Sequence, residues 1–212
     1  MSKFKAHSIQ RGLLYPPSME KMNQVFSSLK QGSEDQILAF EYEPLFTLGR
    51  SLNKAELLLP DSIPSFKTER GGLVTFHNPG QLVIYPILNL RRLKLGVKDF
   101  IFKMEETVLK SLSEFSIESF RKEACPGVFT ASGKVMSMGF RIREGISTHG
   151  IAVNVCNELE DFQGLSLCSS KSAKLDRLMN YDSSISTETF YEKWLHHFYE
   201  EFYGLKIESI ES

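Results

Sequence analysis

Residues 127–155 read as three successive strands, 127–130, 134–143 and 146–155, and this run restricts the fold more than any other part of the chain. The last two strands are joined by Arg143-Glu144-Gly145. So short a turn suits an antiparallel hairpin with Gly at a position of positive φ. The spacing of Met19, Met22, Val25, Phe26 and Leu29 predicts a helix over 18–31, with Ser18 as N-cap and Gly32 as stop. Residues 37–43 read as a strand. Residues 82–85 form a short apolar run that Pro86 places at a sheet edge or a strand end. Phe100, Ile101, Met104, Val108, Leu112 and Phe115 make one apolar stripe on a helix over 98–115. A last helix, rich in aromatics, covers 187–203. Strands and helices do not alternate as βαβ units. The expected class is therefore α+β, a mixed or antiparallel sheet flanked by helices. At 212 residues the chain is expected to form one domain, 1–212.

Charge excludes one class of partner. The 25 Lys and Arg against 26 Asp and Glu leave a net charge of −1. A chain without a positive field cannot neutralise many phosphates, so nucleic acid is not an expected partner. The apolar run Leu82–Leu88 contains Pro86 and is far short of the roughly 20 residues a membrane helix needs. Residues 1–12 lack the apolar core of a signal peptide. Cys125, Cys156 and Cys168 are odd in number and lack CxxC spacing, so neither a disulfide framework nor a structural zinc site is expected. Together these features predict a cytoplasmic protein that no membrane holds.

Three clusters could carry chemistry. Arg70-Gly71-Gly72-Leu73-Val74-Thr75-Phe76-His77-Asn78-Pro79-Gly80-Gln81 is the densest. Its glycines let backbone N–H groups approach a ligand, and Thr75 and His77 share a face if the segment is extended. A turn-rich hairpin with a surface His and Arg accounts for the same residues. In Gly133-Lys134-Val135-Met136-Ser137-Met138-Gly139, a lysine beside an apolar strand could be desolvated, which lowers its pKa and suits it to proton transfer. The ordinary alternative is a lysine reaching into solvent. His149-Gly150-Ile151-Ala152 places small residues on a strand, with His149 either functional or satisfied by backbone in a core. Cys125 and Cys156 flank apolar segments and read as packing residues. Cys168 lies in a short polar loop ahead of Lys171, Lys174 and Arg177, where nearby ammonium groups favour thiolate.

In order, these motifs resemble the lipoyl(octanoyl) transferases, a family of the lipoate and biotin protein ligase-like superfamily. The resemblance rests on residues 70–90 (RGGLVTFHNPGQLVIYPILNL), on Pro126-Gly127-Val128, on residues 133–143 and on His149–Val155. It spans about residues 40 to 170. It implies the ligase-like catalytic fold, Cys168 as the nucleophile that carries an acyl thioester, and Lys134 as the group that lowers the cysteine's pKa and moves protons. It also implies acyl-substrate contacts at Arg70, Gly71, Gly72, Leu73, Val74, Thr75, Phe76, His77, Ser137, Met138, Gly139, His149, Gly150, Ile151 and Ala152. The chain departs from the family at Asn78, usually glycine, and at Leu167-Cys168-Ser169, usually Pro-Cys-Gly.

The implied reaction moves an octanoyl or lipoyl group from acyl carrier protein to a lysine of lipoyl domains. The implied acceptors are 2-oxoacid dehydrogenase complexes and the glycine cleavage H protein. No metal or other cofactor is implied, because the donor is already a thioester. About six buried methylenes, at roughly 0.8 kcal/mol each, would give an apolar slot its grip on the chain. Arg91, Arg92, Lys94, Lys98, Arg141, Arg143, Lys171, Lys174 and Arg177 are candidates to steer acidic partners. The competing readings are an ATP-dependent lipoate–protein ligase of the same fold and a non-catalytic relative that binds acyl carrier or lipoyl domain.

Overall fold

The computed structural model describes residues 4–52, 59–123, 125–159 and 174–204. Strand β1 (Phe4–Leu13) is followed by helix α1 (Tyr15–Lys30), β2 (Asp35–Tyr42) and β3 (Leu45–Leu48). Then come β4 (Ser65–Lys67), β5 (Val74–His77), β6 (Gln81–Ile87) and α2 (Val97–Ser113). Strands β7 (Phe120–Arg121), β8 (Val128–Phe129), β9 (Lys134–Arg143) and β10 (Ile146–Asn154) lead to a short 3-10 turn (Leu178–Asn180) and α3 (Thr187–Tyr203).

The larger sheet has the order β1-β2-β6-β10-β9-β8-β7. Only β1 and β2 pair in parallel; the other neighbours are antiparallel. A smaller sheet, β4-β3-β5, stands beside it. The fold is thus α+β with a mixed sheet, as the strand pattern implied.

Side chains alternate along the central strands, so the two faces of the sheet feed separate cores. Ile37, Ala39, Leu82, Ile84, Ile151 and Val153 pack with α2 and α3, where Phe100, Met104, Val108, Leu112, Phe190, Trp194 and Phe198 are fully buried. Leu38, Phe40, Val83, Tyr85 and Ala152 face the opposite way and pack with Met22, Val25, Phe26 and Leu29 of α1.

The hairpin between β9 and β10 turns on Glu144 (φ 55°) and Gly145 (φ 83°). Two consecutive left-handed residues are the signature of a type I′ turn, whose twist matches that of the strands it joins. Helix α1 begins three residues before the expected start. Pro16 and Pro17 stand in its first turn, where the missing N–H groups have no helical acceptor to lose. Ser18 is consequently no N-cap; its buried Oγ donates to the Tyr15 carbonyl at 2.7 Å and accepts from Tyr42.

The expectation that Pro86 marks an edge or a strand end is overturned. Strand β6 runs through it, between β2 and β10 in the sheet. The β10 ladder covers Gln81 to Ile84 alone, so at Pro86 the strand is laddered only to β2. The missing N–H falls where the ladder to β10 is interrupted; Ser147 Oγ of β10 donates to the Pro86 carbonyl there at 2.6 Å.

That interruption is built into β10. His149 has φ 57°, and a Cβ placed on Gly150 would lie 1.8 Å from the Ile84 carbonyl oxygen. Backbone stands against backbone here, and no rotamer change makes room. Gly150→Ala is therefore expected to destabilise the protein by more than about 3 kcal/mol. Urea unfolding checks it; a midpoint near that of the unmodified chain would show that β6 and β10 separate freely.

Candidate functional site

Ten of the residues picked out by sequence surround one pocket: Arg70, Thr75, His77, Ser137, Met138, Gly139, His149, Gly150, Ile151 and Ala152. Tyr15, Thr47, Val83 and Tyr85 complete its wall. It lies where β9 and β10 meet the loop before β5. Gly139 makes this approach possible: a Cβ there would press within 3.0 Å of both the Arg70 side chain and the Gly71 carbonyl.

Gly71, Gly72, Leu73, Val74 and Phe76 are not part of the wall. Residues 70–73 are tied by backbone to the chain after β3: Gly49, Arg50 and Ser51 donate to the carbonyls of Leu73, Arg70 and Gly72 at 2.8–3.1 Å. Along β5 the alternation sends Thr75 and His77 to the pocket and Val74 and Phe76 to a small core with Phe46.

Arg70 is buried. Its Nε donates to Thr47 Oγ1 at 3.0 Å, Nη2 to the Thr47 carbonyl at 2.6 Å and to its hydroxyl at 2.9 Å, and Nη1 to the Gly71 carbonyl at 2.9 Å. Among the described residues no carboxylate pairs with it. Burial lowers its pKa, yet a guanidinium still stays charged. Most of its N–H groups thus clamp β3 to the loop before β5.

His77 is buried, with Nδ1 2.6 Å from Gln81 Oε1 and Nε2 3.3 Å from Thr47 Oγ1. Desolvation pushes its pKa down to about 4, with Arg70 adding to the shift against the Gln81 bond. His149 is also pushed to about 4, by desolvation first and then by Arg70 and Arg141. Its buried Nδ1 has no hydrogen-bond partner among the described residues. At neutral pH both imidazoles are uncharged. Burial also raises the Tyr15 and Tyr85 phenols. Arg70 is therefore the one fixed charge in the wall.

The open space is about 30 Å³, roughly that of one water. A larger ligand enters only by moving wall side chains. Met138, unbranched and half-buried, is the most adaptable of them.

Lys134, at the start of β9, is buried and does not touch this pocket. Three residues of extended strand, roughly 10 Å, separate it from Ser137. Its Nζ donates to the Pro126 carbonyl at 2.8 Å and to Cys125 Sγ at 3.5 Å. Desolvation lowers its pKa to about 8, with Glu105 opposing. Gly127 makes the room, since a Cβ there would meet Lys134 Cε at 2.6 Å. Residues 174–176 run beside Lys134: its N–H donates to the Lys174 carbonyl at 2.8 Å, and its carbonyl accepts from Asp176 at 3.1 Å.

Cys168 and its neighbours Leu167, Ser169 and Lys171 lie outside the described residues. Cys125, expected as a packing residue, is disulfide-bonded. Cys156 is a free, half-buried thiol whose pKa burial raises. Several proposed steering charges are already engaged. Arg92 pairs with buried Asp35 at 2.6 Å, Arg141 with Glu69, and Arg177 with Glu158 at 3.2 Å. Thr47, Tyr15 and Tyr85 were missed by sequence reasoning. Tyr85 lay within the 70–90 motif, whereas Thr47 and Tyr15 are brought in only by the packing of β3 and α1.

Residues 15–199 match the family model of the lipoyl protein ligase A/B catalytic domain. An octanoyltransferase of Cellvibrio japonicus is 42% identical over 154 residues, covering 73% of this chain and 72% of the relative. One from Klebsiella pneumoniae is 35% identical over 175 residues and 82% of each chain. Among solved structures, a lipoate–protein ligase A bound with ATP superposes with a TM-score of 0.76 over 95% of this chain and 85% of that one. At 15% identity, that likeness speaks for the fold alone.

Two buried neutral histidines make stability depend on acid. Between pH 6.5 and about 4 the unfolded chain binds protons that His77 and His149 in the folded chain refuse. Their contribution is complete above pH 6.5 and is lost as pH falls towards 4. The urea midpoint should therefore drop between about pH 7 and pH 5. His149→Asn, which tolerates the left-handed backbone, should make that drop shallower. An unchanged slope would mean that His149 is protonated inside the fold.

Proposed function

The chain belongs to the octanoyltransferases of the lipoyl protein ligase A/B catalytic domain family, and we propose that it moves an octanoyl group from acyl carrier protein to a lysine of lipoyl domains through a cysteine thioester. The observation that carries this reading is the buried Lys134, held near a pKa of 8 beside the strand whose continuation lines the pocket. The chain carrying Cys168 returns to the described structure at Lys174, hydrogen-bonded to Lys134. Cys168 precedes Lys174 by six positions in the sequence. We take residues 1–212 as one catalytic domain that works in the cytoplasm, with 2-oxoacid dehydrogenase lipoyl domains and the glycine cleavage H protein as acceptors.

In the first step the reduced Cys168 thiolate attacks the carrier thioester. Its C–S bond forms as the carrier's breaks, and the departing thiolate takes a proton from the Lys134 ammonium. In the second step the acceptor lysine attacks the acyl-enzyme. An amide forms, the Cys168 thiolate leaves, and neutral Lys134 takes the excess amine proton. A pKa near 8 lets one group serve as acid and then as base at neutral pH. Arg70 holds the pocket walls, while Thr75, Ser137 and the neutral imidazoles line the way of the acyl chain.

The test is incubation with octanoyl-carrier protein in reductant, read by intact mass. A single octanoyl adduct is expected, absent in Cys168→Ser and retained in Cys156→Ser. An adduct that survives Cys168→Ser overturns the assignment. Lys134→Arg supplies a charge but cannot accept a proton near neutral pH. It should slow transfer from acyl-enzyme to lipoyl domain by about 10²-fold or more. Equal transfer rates in both proteins would remove Lys134 from the second step.

A further inference from the structure

We propose that α3 carries a divalent transition-metal site, of the kind that takes zinc, with His196, His197 and Glu200 as ligands and Glu114 as the outer carboxylate that orients His197. The site stands apart from the acyl pocket, and the transfer reaction makes no use of it. One turn of helix presents all three ligand side chains, and their donor atoms lie within 4.8 Å of one another. His196 Nε2 is 3.6 Å from Glu200 Oε1, and His197 Nδ1 is 3.2 Å from Glu200 Oε2. An ion bound at about 2.0–2.1 Å in tetrahedral geometry sets its ligands roughly 3.4 Å apart, so both spacings already suit one.

The second observation is independent of the first. His197 Nε2 lies 2.5 Å from Glu114 Oε1, at the end of α2. The ring therefore faces a carboxylate on each nitrogen. With a metal on Nδ1, Nε2–H donates to Glu114, the carboxylate–histidine–metal arrangement that fixes tautomer and ring orientation. Lys193 Nζ, 2.5 Å from Glu114 Oε2, holds that carboxylate in place. The side chains of His196, Glu200 and His197 are 38%, 27% and 13% exposed, so the ion would sit at the surface of α3, on the side that faces Glu114. Two imidazoles and a carboxylate favour zinc over magnesium or calcium, and leave a fourth position for water.

Titration of the full-length chain with zinc, in calorimetry and thermal melting, tests this, and cobalt identifies the ligands by absorption. One ion per chain is expected, with a rise in Tm and a cobalt spectrum free of thiolate charge transfer. His196→Ala combined with Glu200→Gln should weaken binding at least 100-fold. Glu114→Gln should weaken it 10- to 100-fold. Both variants should melt as the unmodified chain does without metal, which separates lost ligation from lost folding. If they melt lower, the single change His196→Ala still reads ligation through its cobalt spectrum. No saturable uptake below millimolar zinc would overturn the proposal. So would uptake that the substitutions leave unchanged, or a cobalt spectrum showing thiolate ligation. In the last two cases the ion binds elsewhere.

Discussion

The contact of Gly150 with the Ile84 carbonyl is the constraint from which the rest of the site follows. Strands β6 and β10 pair as a regular antiparallel ladder from Ile151 to Asn154, lose it at Gly150, and meet again where the Ser147 N–H donates to the Leu88 carbonyl at 3.0 Å and Ile146 bridges Asn89. His149, in a left-handed conformation, interrupts the ladder as Gly150 passes over β6. The interruption lies in the middle of the sheet rather than at its edge. Side chains from β5, β6, β9 and β10 surround it, and their polar ends become the pocket wall. It also lets Pro86 lie inside a strand, because the ladder to β10 is broken opposite it.

Burial then decides the chemistry of each titratable group. Arg70, His77 and His149 lie close enough for Arg70 to lower both histidine pKa values. A guanidinium keeps its proton where imidazoles give theirs up, so the cost of desolvation falls on the histidines. The wall is left with one charge, spent largely on Thr47 and Gly71, and with two neutral rings. Such a surface tolerates an apolar chain and still offers a hydrogen bond at His149 Nδ1.

Much of this was legible in the sequence, for physical reasons. The three strands over 127–155 and the Glu144-Gly145 turn are local features, set by alternation and by residues that accept positive φ. The stripe from Phe100 to Leu112 has one periodicity and one partner face. The desolvated lysine followed from a Gly-Lys pair at the start of an apolar strand. What stayed hidden depends on distant neighbours. Nothing near Pro86 shows that the ladder to β10 is interrupted opposite it. The three residues by which α1 precedes its expected start depend on whether Pro16 and Pro17 sit before or within the first turn, and Ser18 offered a plausible but unused cap. Arg92, Arg141 and Arg177 looked free for partners until packing supplied Asp35, Glu69 and Glu158. Thr47 has no motif at all; it matters because Arg70 is folded onto it.

Strand β9 divides the work between two environments. At its start Lys134 is desolvated against Pro126, Cys125 and the Phe129 ring, with Glu105 holding back the fall in its pKa. Roughly 10 Å further along, Ser137 to Gly139 meet the wall that Arg70 organises. Had Arg70 stood beside Lys134, its charge would have driven the lysine pKa down further, beyond the range in which it both gives and takes protons near neutrality. Separation along the strand keeps the fixed cation in the pocket wall and the titrating one at the strand's buried start. Gly127 and Gly139 make the two placements sterically possible, each by lacking the Cβ that would strike the side chain concerned. The spacing of these glycines in the sequence thus records a spacing of charge in the fold.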